Sequence, residues 1–159
     1  MEYRIGQGFD LHRLSPGRRL VLAGVAVPFD QGLLGHSDAD ALSHAVADAL
    51  LGALALGDLG QHFPDTDPAW KDADSLKLLA RVAALIEEQG YAVVNLDATI
   101  IAERPKLSPH FPAMAENLAR VLKIPAARVS VKAKTAEGTD AVGRGEAIAA
   151  QAIALLQKK

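Results

Sequence analysis

Asp10-Leu11-His12 sets a carboxylate and an imidazole two positions apart. In extended chain, residues i and i+2 project from one face, so the two heads emerge side by side. Gly6 and Gly8 precede them on that face and leave it clear of side chains. A carboxylate and an imidazole are two of the three or four ligands that a zinc ion takes, although an ordinary surface Asp–His pair has the same spacing. A second cluster is His36-Ser37-Asp38-Ala39-Asp40-Ala41-Leu42-Ser43-His44. Asp40, His44 and Asp48 stand four apart and drift by about 40° per step around a helix, along one polar face. Such a face is usually only solvated, yet a histidine stands where Lys or Glu would serve. The row begins beside Gly32-Leu33-Leu34-Gly35-His36, a glycine-bounded loop at a helix start, where backbone N–H groups and the helix dipole attract anions. If Asp10, His12 and His44 converge, three protein ligands leave a fourth position open, the mark of a catalytic rather than a closed structural zinc site. The competing set, Asp40/His44/Asp48, is geometrically weaker because its last member has turned by about 80°.

Gly57 to Pro68 is a stiff acidic loop. It reads as a surface turn; Asp65-Thr66-Asp67 lacks the glycine and the twelfth-position glutamate of an EF-hand calcium loop. Arg104, Lys106, Lys132, Lys134 and Arg144 gather at strand ends, either as scatter or as a pocket for a polyanion such as a diphosphate. Thr135 and Glu137 follow directly, and a glutamate beside phosphates suits Mg²⁺. No Walker A, dinucleotide-glycine or Gly-x-Ser-x-Gly pattern is present, so P-loop kinase, Rossmann dehydrogenase and α/β-hydrolase chemistry are unsupported.

The elements that must position these residues follow from hydrophobic period. Tyr3 to Asp10 alternates with a period of two, a strand; Leu20 to Val27 reads as another, ended by Pro28. Ala39 to Leu54 carries an apolar stripe at helical spacing, with Ser37 or Asp38 as cap. A helix after Asp74-Ser75 stops at Gly90, a strand covers Val94 to Ile100, a helix follows Ser108-Pro109, and Val129 to Lys134 alternates again. Helix-strand thus occurs twice after an initial strand pair, which predicts an α+β sandwich with helices on one face of a sheet. The tail, Glu146 to Leu156, is alanine-rich and by propensity helical, although its position also suits a last strand.

The 159 residues, half of them hydrophobic and 23% charged, are expected to form one domain, 1–159, with a real core. Lys plus Arg is 17 against 19 for Asp plus Glu, a net charge of −2, which announces neither a nucleic-acid nor an anionic-membrane partner. Cysteine is absent, excluding disulfides, thiol nucleophiles and thiolate metal sites. Met1 runs straight into Glu2-Tyr3-Arg4 with no signal-like region, and no apolar run approaches 18 residues. The expectation is a cytoplasmic globular protein.

Gly8-Phe9-Asp10-Leu11-His12, Gly35-His36-Ser37-Asp38-Ala39-Asp40, Leu50-Leu51-Gly52-Ala53-Leu54-Ala55-Leu56-Gly57-Asp58-Leu59-Gly60, Phe63-Pro64-Asp65-Thr66-Asp67 and Gly143-Arg144-Gly145-Glu146 stand in register along essentially the whole chain. Together they closely resemble the 2-C-methyl-D-erythritol 2,4-cyclodiphosphate synthase family of the non-mevalonate isoprenoid pathway. The resemblance implies a ferredoxin-like α+β sandwich, with a mixed sheet and helices on one face, assembled as a homotrimer with active sites between subunits. It implies a phosphorus–oxygen lyase that cyclises 4-diphosphocytidyl-2-C-methyl-D-erythritol 2-phosphate and releases CMP. By the same resemblance Asp10, His12 and His44 ligate a catalytic Zn²⁺, and Glu137 ligates a diphosphate-bridging Mg²⁺ or Mn²⁺. His36 and Thr135 stabilise the transition state. Ser37 joins His36 in the phosphate loop. Asp58, Leu59 and Gly60, then Phe63, Pro64, Asp65, Thr66 and Asp67, line the methylerythritol part. By the resemblance, Ala102, Glu103, Arg104, Pro105, Lys106, Leu107 and Ser108 would hold the cytidine from the neighbouring subunit. Lys134 and Ala136, flanking Thr135, grip the diphosphate, while Arg144 and Glu146 match residues near the trimer axis. The chain departs from the family at Lys134, where a hydroxyl residue is usual, and at Ala141, where an aromatic is usual. The resemblance also makes the tail a strand. Spacing alone stops at an open zinc site beside an anion pocket, and leaves a zinc-dependent phosphoester hydrolase or a non-catalytic zinc-containing binding trimer as alternatives.

Overall fold

The computed structural model describes residues 1–159. Strand β1 (Tyr3–Pro16) sustains its alternation: Gly6, Gly8, Asp10, His12 and Leu14 turn inward, while Tyr3, Ile5, Phe9 and Leu11 turn outward. Between it and the first helix lie β2 (Leu20–Leu22), β3 (Val25–Val27) and β4 (Gln31–Leu33). Leu20 to Val27 is therefore a hairpin of two short strands, not one strand. Its turn, Ala23-Gly24, has positive φ at both positions, the combination that a two-residue hairpin requires and that glycine supplies without strain. Helix α1 (Ala41–Ala53) leads to the one-turn α2 (Leu59–His62), then α3 (Ser75–Glu88) and β5 (Tyr91–Ile101). Next come α4 (Phe111–Leu122), β6 (Val129–Lys134), the one-turn α5 (Asp140–Gly143) and β7 (Ala147–Lys158). None of the helices is long and apolar enough to cross a membrane.

The five-stranded sheet has the order β4-β1-β7-β5-β6. β5 and β6 pair parallel and the remaining pairs are antiparallel, so the sheet is mixed. α1, α3 and α4 bury one face of it, giving the expected two-layer α+β build. The long elements run β-α-β-α-β-β, whereas the ferredoxin-like motif runs β-α-β-β-α-β, so that part of the expectation is corrected. The cause is the tail. β7 inserts between β1 and β5 and pairs antiparallel with both, so its backbone groups are satisfied along two ladders. That outweighs the small helical preference of its alanines.

Small side chains at the sheet centre let α1 come unusually close. Ala45, Ala49 and Ala53 ride directly over Gly8 and Gly6. A Cβ added at Gly8 would lie 1.9 Å from the Ala45 carbonyl oxygen, and one at Gly6 would lie 2.0 Å from that of Ala49. No side chain fits there without displacing the helix backbone. α1 is buried almost all round, so Asp40, His44 and Asp48 do not form the solvated face that its pattern predicts. Asp40, rather than Ser37 or Asp38, caps the helix. Its fully buried carboxylate accepts from the Ser43 N–H and hydroxyl, and from the N–H groups of Ala23 and Gly24. One side chain thus caps α1 and ties the β2–β3 turn to it. Burial pushes this carboxyl upward, and the four donors oppose that shift.

Gly8→Ala is expected to destabilise the protein by about 3 kcal/mol, because the obstacle is backbone that can only move as a unit. Gly52→Ala is the contrast. Its Cβ would meet nothing nearer than the Gln7 carbonyl oxygen at 3.8 Å. Stability should hold or rise by less than about 1 kcal/mol. Urea denaturation of the two variants checks both.

Candidate metal centre and active site

The inward alternation of β1 delivers Asp10 and His12 to the underside of α1, and the helix delivers His44 to the same point. Asp10 Oδ2 lies 3.0 Å from His12 Nδ1 and 3.0 Å from His44 Nδ1. The three ligand atoms all fall within 4.8 Å of one another. Bonds of about 2.1 Å to a tetrahedral cation give ligand–ligand edges of about 3.4 Å, so the cradle is close to metal-sized. The other Asp10 oxygen is engaged by the Leu11 N–H at 2.9 Å, which fixes Oδ2 toward the imidazoles. His12 Nδ1 is buried and lacks a hydrogen-bond partner. Its short separation from Asp10 Oδ2 is poorly directed for a hydrogen bond, as two lone pairs aimed at a shared third atom would be. Two imidazoles and a carboxylate are a donor set suited to a first-row divalent cation.

His44 makes the demand for positive charge explicit. Its Nδ1 faces Asp10, and its Nε2 stands 2.8 Å from Ser75 Oγ and 3.3 Å from Ser37 Oγ. Burial by itself would lower the His44 pKa, but the adjoining Asp10 carboxylate outweighs it and holds the ring above its ordinary value. Burial likewise works to raise Asp10, and the two imidazoles overcome it, holding that carboxyl down at about 2. Asp40 is engaged elsewhere, and Asp48 accepts from the Leu59 N–H at 2.7 Å, so the competing set on α1 does not form.

A cavity of about 270 Å³ opens beside the triad, lined by His12, Gly35, His36, Ser37, His44, Leu59, Phe63, Asp65, Trp70 and Leu78. Its walls are strapped together. Arg18 donates to the carbonyls of Leu33 at 2.6 Å and Ser37 at 3.1 Å. His36 Nε2 donates to the Asp67 carbonyl at 3.1 Å, and the Asp72 N–H donates to the His36 carbonyl at 2.8 Å. Asp58 caps α2, Asp67 caps the turn Pro68–Trp70, and Phe63 meets Trp70 edge-on with ring centroids 5.0 Å apart. Gly60, Pro64 and Thr66 belong to this loop but do not line the cavity. Trp70, Leu78 and Ser75 are site residues that the sequence pattern missed. Trp70 is the chain's single tryptophan, and Ser75 passes for part of a helix start.

The other expected residues lie elsewhere on this chain. Asp10 shares its level of the sheet with Ala150, Ile100 and Ala133, but β7 and β5 stand between β1 and β6. Three strand spacings are about 14 Å. Ala102 to Ser108 follows β5; Lys134 ends β6, and Thr135, Ala136 and Glu137 follow it. Thr135 donates to Glu137 at 2.9 Å, and Ala136 packs on the sheet's outer face with Val142 and Ala149. Glu103, Arg104 and Arg144 line a separate cavity of about 300 Å³ together with Asp30 and Gln31. Arg144 also pairs with Glu146 at 2.8 Å. On this chain the Asp10–His12–His44 cradle and the basic strand ends lie apart.

Fold and site define a class: a two-layer α+β protein with an open carboxylate–bis-histidine cradle beside a polar cavity. The model of the YgbB family matches residues 3–157, and the chain belongs to that family. It is 61% identical over 153 residues to the 2-C-methyl-D-erythritol 2,4-cyclodiphosphate synthase of Pelobacter propionicus, covering 96% of this chain and 97% of that one. It is 59% identical over 156 residues to the enzyme of the same name from Geotalea uraniireducens, covering 98% and 99%. A solved 2C-methyl-D-erythritol-2,4-cyclodiphosphate synthase in its CDP-bound form superposes with a TM-score of 0.89 at 41% identity, over 97% of this chain and all of that one. The bifunctional IspDF of Campylobacter jejuni gives a TM-score of 0.96 at 39% identity over 99% of this chain, which spans 43% of that longer one.

The shifts at the cradle set a pH dependence. His44, raised, contributes stability to the metal-free protein that is complete below about pH 6.5 and is lost as pH climbs through its raised value. Asp10, lowered, contributes stability above about pH 3.9 that is lost as pH falls through about 2. Denaturation of the metal-free protein should show stability declining as pH rises above about 6.5, and His44→Ala should remove that decline. Metal affinity should run the opposite way, rising as His44 sheds its proton.

Proposed function

We propose that the chain, acting as one domain over residues 1–159, cyclises 4-diphosphocytidyl-2-C-methyl-D-erythritol 2-phosphate to 2-C-methyl-D-erythritol 2,4-cyclodiphosphate and releases CMP. The observation that carries the reading is the placement of Asp10 Oδ2 3.0 Å from both His12 Nδ1 and His44 Nδ1 at the edge of the His36–Ser37 cavity. The relatives' names supply the product, the 2,4-cyclodiphosphate. Asp10, His12 and His44 would hold Zn²⁺, which as a Lewis acid draws charge from a phosphate oxygen when bound. Glu137, with Thr135 bonded to it, would hold Mg²⁺ or Mn²⁺.

In the reaction a 2-phosphate oxygen forms a bond to the β-phosphorus. The bond from that phosphorus to the bridging oxygen breaks, and its electron pair leaves on CMP. No protein nucleophile is required. The protein's work is to hold mutually repelling phosphates in line, and an intramolecular attack of this kind can draw up to about 7–11 kcal/mol from positioning. His36, steadied by the Asp67 carbonyl, and the loop anchored by Arg18 would set the wall against which the ring closes. Leu59, Phe63 and Asp65 would bound the methylerythritol part.

The half of the site that β5 and β6 carry would come from a neighbouring subunit of a homotrimer. The open sheet face supports this. Tyr3, Ile5, Phe9, Leu11 and Ile153 lie there about half exposed or more, a contiguous apolar surface of the kind that marks association. Residues 102–108 and 134–137, with Lys134 on that outer side, would then reach the partner's cradle as its cytidine and diphosphate contacts.

Alanine at Asp10, His12 or His44 should remove both bound zinc and CMP release, read by metal analysis and a mass-based assay. Full zinc occupancy with lost turnover in all three would overturn the ligand assignment. Turnover in heavy-oxygen water should leave the product unlabelled, whereas hydrolysis would label it. Light scattering should give three times the chain mass, and Ile5→Lys, a charge on the open face, should shift the protein to smaller species with turnover lost.

A further inference from the structure

The metal-ligating direction of His44 is set by two residues behind it. Ser75 is buried, and its hydroxyl donates to Asp38 Oδ1 while its N–H donates to Asp38 Oδ2 at 3.1 Å. Asp38 Oδ1 also accepts from the Asp40 N–H at 3.1 Å. A carboxylate only accepts, and a serine hydroxyl has a single proton. With that proton committed to Asp38, Ser75 Oγ can only accept from His44, so His44 Nε2 must carry a hydrogen. The lone pair of the neutral ring then falls on Nδ1, the atom 3.0 Å from Asp10 Oδ2. Ser37 Oγ is a poorer partner at 3.3 Å and already accepts from the Ala39 N–H.

We propose that Ser75, oriented by Asp38, is a positioning residue that locks His44 in the Nε2–H tautomer and so aims Nδ1 into the metal cradle. Outer hydrogen bonds of this kind fix tautomer and ring orientation at metal centres. A further contact ties the loop bearing Asp38 to the start of α3: the Asp38 N–H donates to the Ala73 carbonyl at 3.1 Å. The inference rests on the metal-centre reading of Asp10, His12 and His44.

Zinc affinity, measured by competition with a chromogenic chelator, should fall 10–100-fold in Ser75→Ala. Ser75→Thr, which keeps the hydroxyl, should recover most of the loss, and Asp38→Asn should weaken binding in the same direction as Ser75→Ala. Nitrogen NMR of the histidine-labelled, zinc-loaded wild-type protein should show His44 coordinated through Nδ1 with a proton on Nε2, a readout that needs no variant to fold. Coordination through Nε2, or equal affinity in wild type and Ser75→Ala, would overturn the proposal. If the wild-type protein takes up no zinc, the metal centre itself falls; if it binds zinc and Ser75→Ala binds it equally, only the relay falls.

Discussion

The close seat of α1 on β1 governs everything else in this molecule. Gly6 and Gly8 present bare backbone to Ala49 and Ala45, and the helix settles into the space that side chains would fill. That approach decides the distance between a residue on the strand and one on the helix, and so brings His44 to the carboxylate of Asp10. Alanines along the helix face and along β7 serve the same end, since bulkier residues on either side would lift α1 from the sheet.

Three aspartates near the start of α1 show how burial and partners divide similar groups among different tasks. Asp40 is fully enclosed and spends all its acceptor capacity on the helix cap and the β2–β3 turn, so it is structural. Asp38 accepts from the Ser75 and Asp40 N–H groups and so joins the start of α1 to the start of α3. Asp10 keeps one oxygen for its neighbour's backbone and turns the other to two imidazoles, where a protonated ring or a bound cation balances its charge.

The topology also explains why the candidate residues fall into two separate groups. Inserting β7 between β1 and β5 satisfies the tail's backbone but pushes β6 three strands from the cradle. The residues at the β6 end are therefore held about 14 Å, three strand spacings, from the Asp10–His12 end of β1. The open face of the same sheet carries Tyr3, Ile5, Phe9, Leu11 and Ile153 about half exposed or more, an apolar surface whose burial is favourable.

Much of this was legible in the residues themselves. The period of β1 put Asp10 and His12 on one side with Gly6 and Gly8, and the helical stripe put His44 beyond them, because alternation and helical repeat are local properties of the backbone. The extent of β6 and the stop at Gly90 were legible for the same reason. What local pattern could not decide depended on partners distant in sequence. Asp40 became the cap because a hairpin turn 16 and 17 residues upstream offered it two N–H groups. The tail became a strand because two ladders awaited it, against its own propensity. Ser75 entered the site because α3 starts beneath His44, 31 positions away in the chain. Residue type and spacing determined which groups were able to bind a cation; only packing of helix against strand decided which three of them come together.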